Sequence, residues 1–292
     1  MIVSPVFRAI PNGLCLGRDR LFAMLCEFSS FADEFGPAEG LDPNKKFAGI
    51  ASLLASCDKW QIFTEKWEEL LNREKIPRPF SMKDFVQYKE KFKNERWKDP
   101  NERLRVLNLM LPIIQEAEVV PIGASVLLKD YWDLPEDCRS TLRSPYYIAF
   151  QEVTGNIGFA FTSLAMSKAE SEDELFASGV SMTYARLRGF TGPAGELWGQ
   201  IKHANMFGRW LRSYTPGDPI DHPPLQAADI WAYSLGRMGE HERAIKREAE
   251  IAFEFFANLA FKAAQIHGSR FFSLMDKQEI LIRLGKFSEL ES

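Results

Sequence analysis

The chain has 292 residues, of which 46% are hydrophobic and 26% are charged, and its formal net charge at pH 7 is −4. This is the composition of an ordinary globular protein, and no run approaches the roughly 20 apolar residues that a membrane span needs. We therefore expect no membrane partner. Residues 1–20 lack the uninterrupted apolar core of a signal peptide, which predicts a cytoplasmic protein. The cysteines and histidines lack the spacing of a metal site.

Strand-like and helix-like segments alternate along the first half of the chain. The first apolar run is stopped by a Gly-Pro pair and reads as a strand. Asp58 is the expected N-cap of the first helix, and Pro112 is expected to kink or divide the second. The predicted elements are strands at 21–35 and 47–56 and helices at 57–73 and 101–118.

The second half of the chain continues this alternation. Interleaved strands and helices predict a layered α/β domain. The predicted elements are strands at 119–128, 179–187 and within 207–218, and helices at 144–169, 192–205, 223–241 and 242–266.

Two adjacent carboxylates, Asp33 and Glu34, end the first predicted strand in the sequence FADEFG. A carboxylate at a strand end is often a turn former, so these residues have a structural explanation beside a functional one. Neighbouring side chains on a strand point to opposite faces, so both reach one site only if the strand bends. Asp33 shares its face with Phe31 and Phe35, whereas Glu34 shares its face with Ala32. The alternation does not choose between them.

Asp229 lies in the middle of an apolar predicted helix, PPLQAADIWAYSLGR. Aspartate is a poor helix former, and a buried isolated carboxylate costs several kcal/mol, so it needs a cation or a hydrogen-bond partner. Gln226 lies one turn earlier on the same face, and Tyr233 lies one turn later. A carboxylate on a strand, Asp33, and one on a packed helix suggest a shared Mg²⁺ or Mn²⁺ ion, as in phosphate chemistry.

Three short motifs carry a family resemblance. Residues 33–36, DEFG, are similar to a strand-ending D-E-S-G, and residues 80–85, FSMKDF, are similar to F-H-M-K-D. Residues 226–233 match Q-x-A-D-x-x-A-Y in full, which is the most specific of the three. The chain thus resembles the family called domain of unknown function 3800 over residues 25 to about 240. The resemblance implies an α/β fold of ribonuclease H-like type, a mixed sheet flanked by helices.

The same resemblance implies metal-dependent phosphoryl transfer, by analogy of fold. Asp33 and Asp229 would hold the metal ion, and Glu34 or Asp130 would assist as further catalytic carboxylates. Asp130 directly follows the third predicted strand and could reach the site, but a cap of the KDYWDL turn is the favoured explanation for it. Asp84 belongs to the second motif, and helix capping explains it as well.

Departures from the family pattern favour a second hypothesis. Phe35 replaces a serine, Ser81 replaces a histidine, and Ala185 or its neighbours stand where the family often carries an aspartate. The first hypothesis is a divalent-metal-dependent nuclease or nucleic-acid-processing enzyme in a mobile-element or defence setting. The alternative is a catalytically weak ribonuclease H-like module that binds nucleic acid or a protein partner. The acidic pI and the missing aspartate favour the module, whereas the intact Asp229 helix favours the enzyme.

Positive charge is concentrated in two segments of this acidic protein. Residues 83–105 carry eight Lys/Arg against five Asp/Glu, and residues 186–212 carry five Lys/Arg against one Glu. Each segment is either a solvated helix face or a contact surface for nucleic acid, whether DNA or RNA. The candidate substrate-binding residues are Gln226, Tyr233, Arg186 and Arg188.

The last predicted helix has a wide apolar surface. Over residues 242–266 an apolar stripe follows the helical period, but Ile251, Phe253 and Phe255 fall outside it. Either both faces are buried within the monomer, against the long helix from residue 145, or the helix forms the seam of a homodimer. The predicted organisation is an N-terminal extension at 1–24, a ribonuclease H-like domain at 25–240 with a helical elaboration at 58–118, and a C-terminal helical segment at 241–292.

Overall fold

Six strands in the described parts of the chain form one mixed sheet, and helices cover both of its faces, which confirms the α/β class. The structure is a computed structural model that describes residues 27–37, 46–168, 178–186, 191–204, 208–238, 246–267 and 272–286. The strands are β1 (Glu27–Phe35), β2 (Phe47–Ser56), β3 (Val120–Leu127), β4 (Gly179–Ala185), β5 (Leu211–Gly217) and β6 (Phe272–Met275).

The helices fall between these strands and after them. In the described ranges they are α1 (Cys57–Arg73), α2 (Met82–Gln87), α3 (Glu95–Lys98), α4 (Pro100–Glu116), α5 (Leu128–Trp132), α6 (Glu136–Leu142), α7 (Pro145–Lys168), α8 (Thr191–Ala204), α9 (Pro224–Met238), α10 (Arg247–His267) and α11 (Lys277–Arg283), with 3₁₀ turns at Glu90–Phe92 and Gly208–Trp210. None of the helices in these ranges has the length and apolar character needed to span a bilayer.

The strand directions place the end of β1 at a shared sheet edge. The order across the sheet is β5-β4-β1-β2-β3-β6. β2 is antiparallel to β1 and β3, whereas the pairs β1–β4, β4–β5 and β3–β6 are parallel. All described strands except β2 therefore run in one direction, and their C-terminal ends meet at one edge. Asp33 and Glu34 lie at that edge, because β1 ends at Phe35.

Alternate side chains of β1 belong to two different cores. Phe28 and Ala32 belong to the core that contains α7 and α8. Phe31 and Phe35 belong to the core of the opposite face, with α1, α4 and α9. α9 packs directly on β1 and β2. The predicted faces are confirmed, so Asp33 begins on the α9 side of the strand and Glu34 on the α7 side.

One expectation for the first helices is wrong, and for Pro112 the structure excludes a division of the helix. β2 and α1 have the predicted bounds, but Asp58 is not the cap of α1, because the helix follows β2 directly and its N-cap position is Ser56. Pro112 does not divide α4, which continues through it. Buried residues on either side of the proline, Met110 and Ile114, hold the helix against the core.

The C-terminal segment contains a strand, which corrects the purely helical prediction for 241–292. β6 pairs in parallel with β3 and forms one edge of the sheet. Its four residues are too few for a periodic pattern to reveal. The elaboration predicted at 58–118 packs on the α9 face as α1 to α4. The extension predicted at 1–24 lies outside the described residues.

Candidate acidic site

Asp33, Glu34 and Asp229 come together at the C-terminal end of β1. Asp33 is on the face that α9 covers, and α9 carries Asp229. The charge of Asp229 contributes to a raised pKa of Asp33, and the charge of Glu34 contributes to a raised pKa of Asp229. The strand and the helix therefore bring the predicted carboxylates into one electrostatic group.

Asp33 and Glu34 also contact each other, although they leave the strand on opposite faces. The neighbouring Glu34 carboxyl raises the pKa of Asp33, whereas the Asp33 carboxyl lowers that of Glu34 against the larger effect of burial. The backbone N–H of Glu34 donates to Asp33 Oδ1 at 2.9 Å. Asp33 thus accepts a hydrogen bond from the next residue of β1, and it belongs to the acidic group as well.

Burial is the main cause of the raised pKa values in this group. It raises the pKa of Asp33 well above the usual range, with further contributions from Glu34 and Asp229. Burial, together with Glu34 and Asp84, raises the pKa of Asp229 to about 7, against the opposing effects of the Met82 N–H and Lys83. The pKa of Glu34 is also raised by burial. The group therefore binds protons more readily than carboxylates in water do.

Within the described residues, no lysine or arginine forms an ion pair with Asp33, Glu34 or Asp229. In the same part of the chain, Glu34 Oε2 is buried and accepts no hydrogen bond. Partly buried carboxylates that lack an ion-pair partner are less stable as anions than carboxylates in water, so protons or a bound cation would offset their charge.

Tyrosines line the α7 side of the site. Tyr184 of β4 is fully buried and lies opposite Ala32 of β1. Its hydroxyl faces Glu34 and lowers the pKa of that carboxyl, against the larger effect of burial, which raises it. The Tyr146 hydroxyl donates to the carbonyl oxygens of Phe35 at 3.2 Å and Pro37 at 2.7 Å. Tyr184 therefore faces the carboxylate, whereas Tyr146 holds the backbone that follows it. Sequence reasoning missed both tyrosines, because Tyr184 occupies an apolar position of a strand and Tyr146 lies in an apolar run of a helix.

The α9 side of the site is tied to the loop before α2. The N–H of Met82 donates to Asp229 Oδ2 at 2.6 Å. One turn earlier on α9, Gln226 Oε1 accepts from Trp67 Nε1 and from the Phe80 N–H, both at 3.0 Å, and Gln226 Nε2 donates to the Pro219 carbonyl at 2.8 Å. Gln226 is buried, so its side chain supports the site from within the fold.

The remaining predicted site residues lie around the group or apart from it. Asp130 lies beyond β3, and its Oδ2 accepts the N–H of Lys277 at 3.2 Å. Asp84 contributes to the raised pKa of Asp229, while Ser81, rather than Asp84, caps α2. The structure thus brings Asp84 near the site and attaches Asp130 to the start of α11.

The predicted substrate-binding residues differ in exposure. Tyr233 is half-buried against the α9 core. Arg186 is exposed just after β4, where its N–H donates to the Gly217 carbonyl at 3.2 Å. Arg188 lies outside the described residues. Ala185, where the family often has an aspartate, is buried in the same core as Phe31, on the face of Asp33.

Comparisons of the chain with protein-family models, curated proteins and solved structures return no match. Among the described residues, no group of three or more His, Cys, Asp or Glu side chains is arranged as a ready-made metal site. The donors available to a cation are the oxygens of Asp33 and Asp229, with Glu34 beside them. Carboxylate oxygens suit Mg²⁺ and Mn²⁺, and Mg²⁺ commonly uses one or two carboxylates and keeps several waters.

Proposed function

We propose that this protein is a divalent-metal-dependent nuclease or nucleic-acid-processing enzyme of ribonuclease H-like type. The observation that carries the proposal is the meeting of Asp33, Glu34 and Asp229 at the end of β1, with no basic partner among the described residues. A Mg²⁺ or Mn²⁺ ion would offset their charge and draw a phosphate into the site.

The strand order supports the fold part of this proposal. The mixed sheet, in which β2 is antiparallel to its neighbours and helices cover both faces, supports a fold of the proposed ribonuclease H-like type. β6 extends that sheet by one strand. A fold hosts many activities, so the proposed activity depends on the acidic group.

Each residue of the group has a proposed role. Asp33 and Asp229 would hold the ion, which when bound supplies Lewis-acid stabilisation of phosphate charge and an activated water. Glu34, which faces the Tyr184 hydroxyl, is placed to accept a proton from the attacking water. The Met82 N–H orients Asp229, and Gln226 fixes α9 against the loop that supplies this N–H.

Metal titration calorimetry and cleavage assays test the proposal. We expect wild type to bind Mn²⁺ with release of protons at pH 7, because the pKa values of Asp33 and Asp229 are raised. Asp33→Asn and Asp229→Asn should lose both Mn²⁺ binding and the cleavage of labelled DNA, RNA or hybrid substrates. Asp133→Asn, at an exposed site beyond β3, is the matched control. Wild type that neither binds Mn²⁺ nor cleaves any substrate would overturn the proposal.

A catalytically weak binding module is the second candidate. Asp229 Oδ2 already accepts the Met82 N–H, and Ala185 supplies no carboxylate. Because Tyr184 pairs with Ala32, the next residue of β4 lies beside Asp33 in the parallel register. Ala185→Asp would therefore add a carboxylate next to Asp33. If the wild type is a weakened enzyme, the Ala185→Asp variant should bind Mn²⁺ more tightly than wild type does. Cleavage of substrate by wild type would exclude the binding module.

A further inference from the structure

The cations of residues 57–118, a region described throughout, fall into two groups. Every arginine there forms an ion pair with a carboxylate, as do Lys59, Lys66 and Lys98. The other lysines of this region form no ion pair with a carboxylate of the described residues; they are Lys75, Lys83, Lys89, Lys91 and Lys93. All of these except Lys75 fall within residues 82–93, which we call the lysine segment.

The lysine segment borders the acidic site. It begins at Met82, whose N–H donates to Asp229, and the charge of Lys83 opposes the rise in the pKa of Asp229. Buried Phe85 and Phe92 anchor the segment in the aromatic core with their rings 5.3 Å apart. The side chains of Lys83, Lys89 and Lys93 remain exposed on this fixed backbone.

We propose that the lysine segment binds the phosphodiester backbone of a nucleic acid through Lys83, Lys89 and Lys93, and so delivers it to the acidic site. This inference rests on the proposed function, because it names how the substrate of that site is held. An acidic site repels a polyanion, so the cations that attract one must lie beside it.

The chemistry of these side chains fits a backbone contact. Lysine binds phosphate as a point charge and reads no base sequence, so the segment would serve DNA and RNA alike. Since the three lysines pair with no carboxylate in the described chain, their contacts with phosphate release counterions at little cost to the fold. Lys91 is less suited, because its ammonium group donates to the Arg78 carbonyl.

Fluorescence anisotropy with short labelled DNA, measured in EDTA at several salt concentrations, tests the inference. The variant is Lys83→Gln/Lys89→Gln/Lys93→Gln. Lys75→Gln/Lys129→Gln/Lys262→Gln is the control, since it removes the same charge from three exposed lysines outside the segment. We expect the segment variant to lose at least about tenfold in affinity and its salt dependence to fall by roughly 0.7 to 0.9 per lysine, with little change in the control.

The outcomes separate this inference from the proposed function. Equal losses of affinity in both variants, or no binding by wild type at low salt, would overturn the proposal that the lysine segment binds nucleic acid. The metal titration would still test the proposed nuclease activity separately. A loss confined to the segment variant supports the inference even if the protein binds no Mn²⁺, in which case the enzyme proposal fails alone. Thermal melts of both variants exclude unfolding as the cause.

Discussion

At the scale of single residues, Asp229 takes part in two interactions, and different substitutions of this residue distinguish them. Its Oδ2 accepts the Met82 N–H at 2.6 Å, and its charge contributes to the raised pKa of Asp33. The first interaction stabilises the start of α2, whereas the second destabilises the anionic site. An amide retains the first and removes the second, but a methyl group removes both.

Asp229→Asn is therefore expected to leave the thermal melting temperature at pH 7.5 unchanged or raised. The amide oxygen of the variant can still accept the Met82 N–H, and repulsion with Asp33 and Glu34 is relieved. Asp229→Ala should lower the free energy of unfolding by about 1 to 3 kcal/mol, because the buried N–H loses its acceptor. Equal losses in both variants would show that the negative charge itself stabilises the fold.

The acidic group also predicts how stability depends on pH in metal-free solution. Burial raises the pKa of Asp229 from 3.8 to about 7 and raises that of Asp33, so the folded chain holds protons that the unfolded chain has lost. The free energy of unfolding should therefore fall as the pH rises from about 4 to 7. One pKa unit is worth about 1.4 kcal/mol, which limits the contribution of Asp229 to about 4 kcal/mol.

Thermal melts in EDTA between pH 5 and pH 8 measure this dependence. Wild type should melt higher at the acidic end, and the difference should shrink in Asp229→Asn. Added Mn²⁺ should raise the melting temperature more at pH 7.5 than at pH 5.5, because metal and protons compete. A wild type that becomes steadily more stable towards pH 8 in EDTA would contradict the assignment of raised pKa values.

At the scale of secondary-structure elements, a buried ion pair joins α4 to α10. Arg103 Nε lies 2.6 Å from Glu248 Oε1, and both side chains are almost completely buried. Arg103 also donates to the carbonyl of Lys98 at 3.1 Å. The pair ties the helical elaboration on the α9 face to the C-terminal helices.

Glu248→Ala should lower the free energy of unfolding by about 3 to 5 kcal/mol, because it leaves the Arg103 charge buried without its partner. Glu250→Ala, which breaks the exposed contact with Arg247, should cost less than about 1 kcal/mol. Urea denaturation of both variants measures the difference. Similar small losses would mean that water reaches Arg103 and replaces the carboxylate.

At the scale of the whole molecule, most of the apolar surface of α10 is used within the chain. Phe253 stacks on Trp231 with ring centroids 6.3 Å apart, and Phe255 packs edge-on against Phe256 at 5.2 Å. Phe261 is the exposed aromatic residue of the described part of α10, at 63% exposure. The residues that suggested a dimer seam are therefore largely accounted for within one monomer.

Light scattering at micromolar concentration is expected to give a mass of 33.4 kDa that does not depend on concentration. The covered residues Phe253 and Phe255 leave little apolar surface for a stable seam. A doubled mass would restore the homodimer proposal, and Phe261→Ser would then be the variant to test as its seam.

Periodicity predicted the parts of this fold that depend on local sequence. The bounds of β2 and α1, the two faces of β1 and the helix that carries Asp229 all follow from alternation or the helical period. Periodicity could not predict contacts between residues that are far apart in the sequence. Met82 reaches Asp229, and Tyr184 reaches Glu34, only because the chain packs α2 on α9 and pairs β4 with β1. Local patterns therefore identified the carboxylates but not the groups that surround them.

β6 has a consequence for how this protein must be produced. Its four residues cover the hydrogen-bonding edge of β3 at residues 123–126. A chain ending at residue 267 would present that edge to solvent. An open, uncharged strand edge promotes hydrogen-bonded pairing with strands of other molecules. We expect such a truncation to accumulate in inclusion bodies, whereas a chain ending at residue 286 should stay in the supernatant. Centrifugation of the two lysates would show whether the segment that carries this strand and α11 protects the sheet from aggregation.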